Sequence, residues 1–269
     1  MAFTIDHVVI AVRDLAQASA DYAAAGFTVV PGGEHADGAT HNALIAFADG
    51  AYFELIAFKE PDLPQPHRWW PILQRGEGTV DFALLADDLA TEVDHLRGAG
   101  LDAPEPREGG RLRPDGQRIG WRNLELGDPD VPLPFLIEDV TPRGLRVASG
   151  EAAVHPLGVS GVIGVTVLVA DIDLAVARYA ALLSTEGSEV NAGIEGVGGA
   201  LRFPLAEGAG RTGQWIELAQ PDNGATDLQR HLAERGAGPY RVVLAASRAA
   251  ATPPLAAASS HGARIEFAG

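Results

Sequence analysis

The chain has no cysteine, a single methionine and a single lysine, Lys59, among its 269 residues. Without cysteine there are no disulfides, thiolate metal sites, iron–sulfur clusters or cysteine nucleophiles. That absence fits a reducing compartment, and the expected location is cytoplasmic. No apolar run approaches the roughly 20 residues that span a bilayer, so a membrane is not an expected partner. The start runs straight into Phe3–Ile10, without the basic opening and small-residue cleavage site of a signal peptide. Positive charge is scarce too: 20 basic residues face 36 acidic ones, a net charge of -16. Nucleic-acid binding needs the opposite balance, so nucleic acid is not an expected partner. The motifs G-x-x-x-x-G-K-[ST], H-E-x-x-H and G-x-S-x-G are missing, which removes phosphate-loop, zincin and serine-hydrolase chemistry. Gly193–Gly199 lacks the strand–turn–helix setting of a dinucleotide site.

What the chain does contain is a repeat. Ile5–Val12 reads as a short β-branched strand, and Asp14 then stands as N-cap to a helix with apolar residues at three- and four-residue spacing. The same grammar returns with Asp88, Asp171 and Ser247 in the capping position. The fourth cap should lead into an alanine-rich helix. Further strands are expected at Thr28–Pro31, His41–Phe47, Tyr52–Phe58, Trp121–Leu126, Pro134–Val140, Ala200–Leu205 and Gln214–Ala219, with a Pro/Gly/Arg-rich loop at 104–116. Only Arg264–Phe267 follows the last helix, which leaves that copy without its fourth strand. The pattern is β-α-β-β-β in tandem with the last module truncated, which reads as an α+β fold. It divides into a first domain at 1–142, a linker at 143–159 and a second domain at 160–269.

A tandem βαβββ unit with His7 on its first strand and Glu54 on its fourth resembles the vicinal oxygen chelate superfamily. The closer likeness is to glyoxalase-like domain proteins. It is carried by Asp6-His7-Val8-Val9, Ala39–Ile45, Tyr52–Ile56, Pro114-Asp115-Gly116 with Trp121, Pro134–Glu138 and His155-Pro156. The superfamily includes glyoxalase I, extradiol dioxygenases and bleomycin-resistance proteins. The resemblance implies a glyoxalase/bleomycin-resistance fold, curled mixed sheets with helices outside, whose first and fourth strands line a cleft; a small-molecule ligand is then expected, and superfamily members often form homodimers. It implies a metal site at His7, Glu54, Asp81 and Glu138 for Zn, Mn, Fe or Mg. It also implies lyase or isomerase chemistry on a small oxygenated substrate, with Glu138 and Glu54 as catalytic carboxylates. Two other readings remain: a metal-free, drug-sequestering binding protein, and an extradiol-type dioxygenase. Asp81 departs from the His or Gln usual at its position, which weighs against ring cleavage.

Strand alternation supports part of this assignment. If His7 faces the cleft, Val9 and Ala11 join it, while Val8, Ile10 and Val12 face the helices. If Glu54 faces the cleft, so do Tyr52 and Ile56. His41, Asn42, Tyr52 and Trp121 are the candidate substrate contacts; each is equally readable as an ordinary strand or packing residue. Arg111, Arg113 and Arg118 are readable either as a lid that meets an anionic substrate or as solvated loop charges. Glu217, in the second half, reads as a positional relic of Glu54.

Overall fold

The computed structural model describes residues 3–36, 38–113, 115–208, 211, 213–224, 227–247 and 254–269. Strand β1 (Thr4–Val12) leads to Asp14, whose carboxylate accepts from the Gln17 N–H and starts helix α1 (Leu15–Ala24). Strands β2 (Val30–His35), β3 (Thr40–Ala46) and β4 (Tyr52–Phe58) complete the first module, and the short helix α2 (Trp70–Gln74) follows. The second module is β5 (Gly78–Leu85), α3 (Leu89–Gly98) capped by Asp88, β6 (Arg107–Leu112), β7 (Arg118–Leu124) and β8 (Phe135–Asp139). These eight strands close into a barrel in the order β1-β4-β3-β2-β6-β7-β8-β5. Within each module the first and fourth strands are parallel; the modules meet antiparallel at β1–β5 and β2–β6.

The segment 143–159 holds helix α4 (Arg143–Arg146) and a 3-10 turn at Gly150–Ala153. Val147 and Ala153 pack on Leu44, Ala46 and Tyr52, so this segment covers one end of the barrel. The C-terminal part has β9 (Val159–Leu168), α5 (Ile172–Leu183) capped by Asp171, β10 (Ser188–Glu189), β11 (Val197–Pro204), β12 (Trp215–Pro221), α6 (Asp227–Arg235), β13 (Gly238–Ala246) and β14 (Ile265–Ala268). Its sheet runs β10-β11-β12-β9-β13-β14 and stays open. Strand β14 lies parallel to β13, as β8 lies parallel to β5. The truncated copy therefore keeps a strand in the fourth position, and among the described residues it has none corresponding to β6 and β7. That corrects the expectation from sequence. Of the alanine-rich helix expected after Ser247, residues 248–253 lie outside the described residues. Residues 257–262 form turns.

Alternation sets the layers. Val8, Ile10, Val12, Phe53 and Leu55 join the outer core with Tyr22 and Leu96 of the helices, whereas Val9, Ala11 and Ile56 pack inside the barrel. The outer core continues without a break into Val165, Val167, Leu218, Val242 and Leu244 of the open sheet. Two strand boundaries differ from the sequence reading. Strand β2 runs on through Gly32-Gly33 to His35, and β6 lies within the expected loop. Glycine hides both, and here it serves close packing: a side chain at Gly109 would strike Trp121, and one at Gly110 the Ile119 carbonyl. No helix among the described residues is long and apolar enough to cross a membrane.

Candidate active site

The barrel encloses a cavity of about 560 Å³. Its walls carry Tyr52, Trp69, Trp121 and Phe135, and its polar wall is made by His7, His35, Asn42 and Glu54. Strand β1 bulges at Asp6: Ile5 pairs with Leu84 and His7 with Ala83, leaving Asp6 as the extra residue. A bulge places neighbouring side chains on one side of the strand. Asp6 and His7 thus both leave the helix layer, while Ile5 and Val8 stay in the outer core. His7 is 2% exposed, stacked on Tyr52 at 4.6 Å and edge-on to Phe135 at 5.3 Å.

Glu54 is the centre of the polar wall and only 6% exposed. Its Oε1 accepts from Asn42 Nδ2 at 2.6 Å and lies 3.3 Å from His35 Nε2. Its Oε2 lies 3.5 Å from His7 Nε2. Burial alone would raise its pKa, but His35, His7 and Asn42 outweigh burial and hold it at about 2. His35 is fixed in turn by Thr40 Oγ1, 2.7 Å from its Nδ1. A side chain at Gly32 would collide with the Asn42 amide, so the glycine lets β2 approach Asn42.

Below His7 lies a second, fully polar layer. Asp6 Oδ1 is 3.6 Å from His7 Nδ1, a ring atom that is buried and makes no hydrogen bond. Asp6 binds Arg146 at 2.9 Å and Arg143 at 3.1 Å. Burial pushes its pKa up, yet Arg146 and then Arg143 hold its carboxyl well below the usual range. Arg146 also donates to Tyr52 Oη at 2.8 Å and contacts Asp139. Arg111, a further cavity residue, donates to the Gly32 carbonyl and, at 2.8 Å, to the Arg146 carbonyl.

Of the residues singled out from sequence, His7, Asn42, Glu54, Tyr52, Trp121 and Arg111 meet at this cavity, Arg111 as a buried wall residue and not a solvated loop charge. The others stand elsewhere. Asp81 accepts from Arg68 at 2.7 Å and from Trp69 Nε1 at 3.0 Å; burial raises its pKa against those partners. Glu138 shares its strand face with Leu136, which is in the outer core, whereas Phe135 and Ile137 face the cavity. Its carboxylate accepts from the Leu89 N–H at the start of α3 and from Arg122 at 2.6 Å. His41 alternates with Asn42 and shares a face with the outer-core residues Ala43 and Ile45. Among the described residues, no group of three His, Asp or Glu side chains is disposed to hold a metal ion. The donor chemistry agrees with this. Asn42 occupies Glu54 Oε1, Arg68 and Trp69 occupy Asp81, and Glu138 faces out of the cavity. The four-residue metal set implied by the resemblance does not fit this geometry. His35 is a cavity residue the sequence reading missed; its signal was the Gly-Gly pair read as the end of a strand.

A family profile described as Glyoxalase-like domain matches residues 5–183. The chain belongs to the glyoxalase-like domain family. The match runs through the barrel, the covering segment and α5, and it places the chain in the vicinal oxygen chelate superfamily. No curated protein matches the chain by sequence. Among solved structures, a hypothetical protein from Staphylococcus aureus is similar over 99% of this chain and 100% of its own, at 13% identity and TM-score 0.71. A mutant of 4-hydroxymandelate synthase from Streptomyces coelicolor is similar over 91% of this chain and 71% of its own, at 14% identity and TM-score 0.60. A xylose isomerase-like TIM barrel/4-hydroxyphenylpyruvate dioxygenase fusion protein is similar over 91% of this chain and 37% of its own, at 12% identity and TM-score 0.53. At these identities the likeness shows the fold alone.

Proposed function

We propose that the barrel of this glyoxalase-like protein binds a small, flat, oxygenated molecule and moves a proton on it, as a lyase or isomerase working without a resident divalent ion. The observation that carries this reading is the convergence of two imidazoles on one buried carboxylate in an aromatic-walled cavity. A carboxyl held at about pKa 2 is a poor base, because general bases work best near the operating pH. Glu54 is therefore the fixed negative charge, and an imidazole is the proton acceptor. His35 takes that role: Thr40 holds its Nδ1, and it is the more open of the two rings. His35 donates its Nε2–H to Glu54 Oε1, so the proton leaves a carbon beside a carbonyl for the Nδ1 lone pair, from which the Thr40 hydroxyl turns aside. The electron pair left behind spreads into the carbonyl, and Glu54 stabilises the imidazolium. Tyr52 and Phe135 keep His7 in place.

The test uses untagged protein, metal analysis by mass spectrometry, and deuterium uptake from solvent into α-hydroxy ketones and α-keto acids followed by NMR. Metal should be substoichiometric, and exchange should fall by about a hundredfold in His35→Ala, within the range for a lost acid–base group. A stoichiometric metal lost in both His7→Ala and Glu54→Ala would overturn the metal-free reading. Ligand binding without any exchange would leave a sequestering protein in place of an enzyme.

A further inference from the structure

Among the described residues, the arginines of this barrel other than Arg111 either end on a carboxylate or, like Arg13, Arg75, Arg107 and Arg118, are exposed. Arg143 and Arg146 share Asp6 and Asp139, Arg68 has Asp81, Arg122 has Glu138 and Arg113 has Asp115. Arg111 is different. It is 4% exposed and lines the cavity, yet its guanidinium meets only the carbonyl oxygens of Gly32 and Arg146. No carboxylate of the described residues lies within ion-pair distance of it. Burial lowers its pKa; Tyr52 and Glu54, the latter beyond ion-pair distance, act against that, while Arg113 and Arg146 add like charge nearby. A buried charge that is hydrogen-bonded but has no counter-charge is costly to keep, and such groups are normally paired.

From this we infer that Arg111 is the anion-recognising residue of the cavity and that the ligand is an organic acid whose carboxylate completes the pair. The inference rests on the proposed function and narrows its substrate class. Arg111 is the register partner of His35 across the β2–β6 ladder, so both side chains serve the same stretch of cavity. A carboxylate on Arg111 sets the neighbouring carbon beside His35, and the flat remainder lies between Trp69 and Trp121. A planar guanidinium suits a carboxylate because it donates in a fixed fork. The net charge of -16, with Glu105, Glu108 and Glu125 among the cavity residues, repels anions at long range. Recognition of an acid here is therefore local, and Arg111 is its source.

Benzoate and its neutral isostere benzamide, titrated against the full-length protein, separate the two levels of the reading. Quenching of Trp69 and Trp121 fluorescence reports occupancy. Benzoate should bind at least tenfold more tightly than benzamide in the wild type. Arg111→Gln should abolish that preference while keeping benzamide binding, and Arg111→Lys should retain part of it. Because Arg111 also ties two main-chain carbonyls, the wild-type comparison stands as the decisive measurement if the Gln variant does not fold. Benzamide binding as tightly as benzoate overturns the role of Arg111 and leaves the cavity reading intact. Binding of neither compound overturns both.

Discussion

At the scale of single residues, Glu54 makes the sharpest thermodynamic statement. An acid whose folded pKa lies below its unfolded value stabilises the fold at pH above the unfolded pKa; that stabilisation fades as pH falls through the folded one. For Glu54 the window runs from its ordinary value of 4.5 down to about 2. The whole shift corresponds to about 3 kcal/mol at neutral pH, as an order of magnitude. Urea unfolding from pH 7 to pH 2 should therefore show the stability gap between wild type and Glu54→Gln closing across that window. Asn42→Ala should narrow the gap by removing the 2.6 Å donor. A gap independent of pH would mean that Glu54 is not held ionised. His7 and Glu54 were legible through the resemblance, with strand alternation in support, since Val8, Ile10, Phe53 and Leu55 all join the outer core. Glu138 was not. Both faces of β8 are buried, so Phe135 and Ile137 compete with Leu136 for either side, and packing decides the outcome. His35 was hidden because Gly32 and Gly33 look like a turn, whereas they permit close approach to Asn42 and to the Leu112 carbonyl.

At the scale of elements, Asp81 is reassigned from metal ligand to anchor. The segment between β4 and α2 carries His67, Arg68 and Trp69 along the cavity wall. Trp69 Nε1 and the Arg68 guanidinium both end on Asp81, and Arg68 lies 4.9 Å from the ring centres of Trp69 and Phe135. One carboxylate thus holds the segment against the barrel. Removing the shared buried acceptor leaves Trp69 Nε1 unpaired and Arg68 with only Glu125, 3.7 Å away, which lowers the free energy of local opening. Limited trypsin digestion of Asp81→Ala should cut after Arg68 on the order of tenfold faster than in wild type, at unchanged circular dichroism. Equal cutting rates would show that the apolar contacts of Trp69 hold the segment alone. The helix starts were the most legible elements: Asp14, Asp88 and Asp171 all cap as the pattern required. Strand β6 was the least legible, since Arg-Glu-Gly-Gly-Arg-Leu has no period-two pattern and owes its place to pairing with β7.

For the molecule as a whole, the closed barrel and the open sheet are tied together by named contacts. Glu217, the positional counterpart of Glu54, is enclosed by Arg202, Arg241 and Thr166, so the open sheet neutralises its own acid. That sheet's contribution to the barrel is structural. It shares one continuous apolar core with the barrel and sends Gln214 into it. Gln214 Oε1 accepts from the Ile5 N–H of β1 at 2.9 Å, and its Nε2 donates to the Val162 carbonyl of β9 at 2.9 Å. His261 adds a second tie, with ring nitrogens 2.9 Å from Glu77 and 3.1 Å from Asp21. A shared core makes independent unfolding of either half expensive, because each would expose the face the other covers. Hydrogen exchange of β1 and β13 peptides across a urea titration should therefore give one midpoint. Gln214→Ala, a change in the C-terminal half, should lower the stability of both peptides together by about 1–3 kcal/mol, the cost of unpaired buried amide groups. A shift confined to β12 and β13 would show two halves that merely touch, and the barrel would then have to position His7 and Glu54 without support from the second sheet.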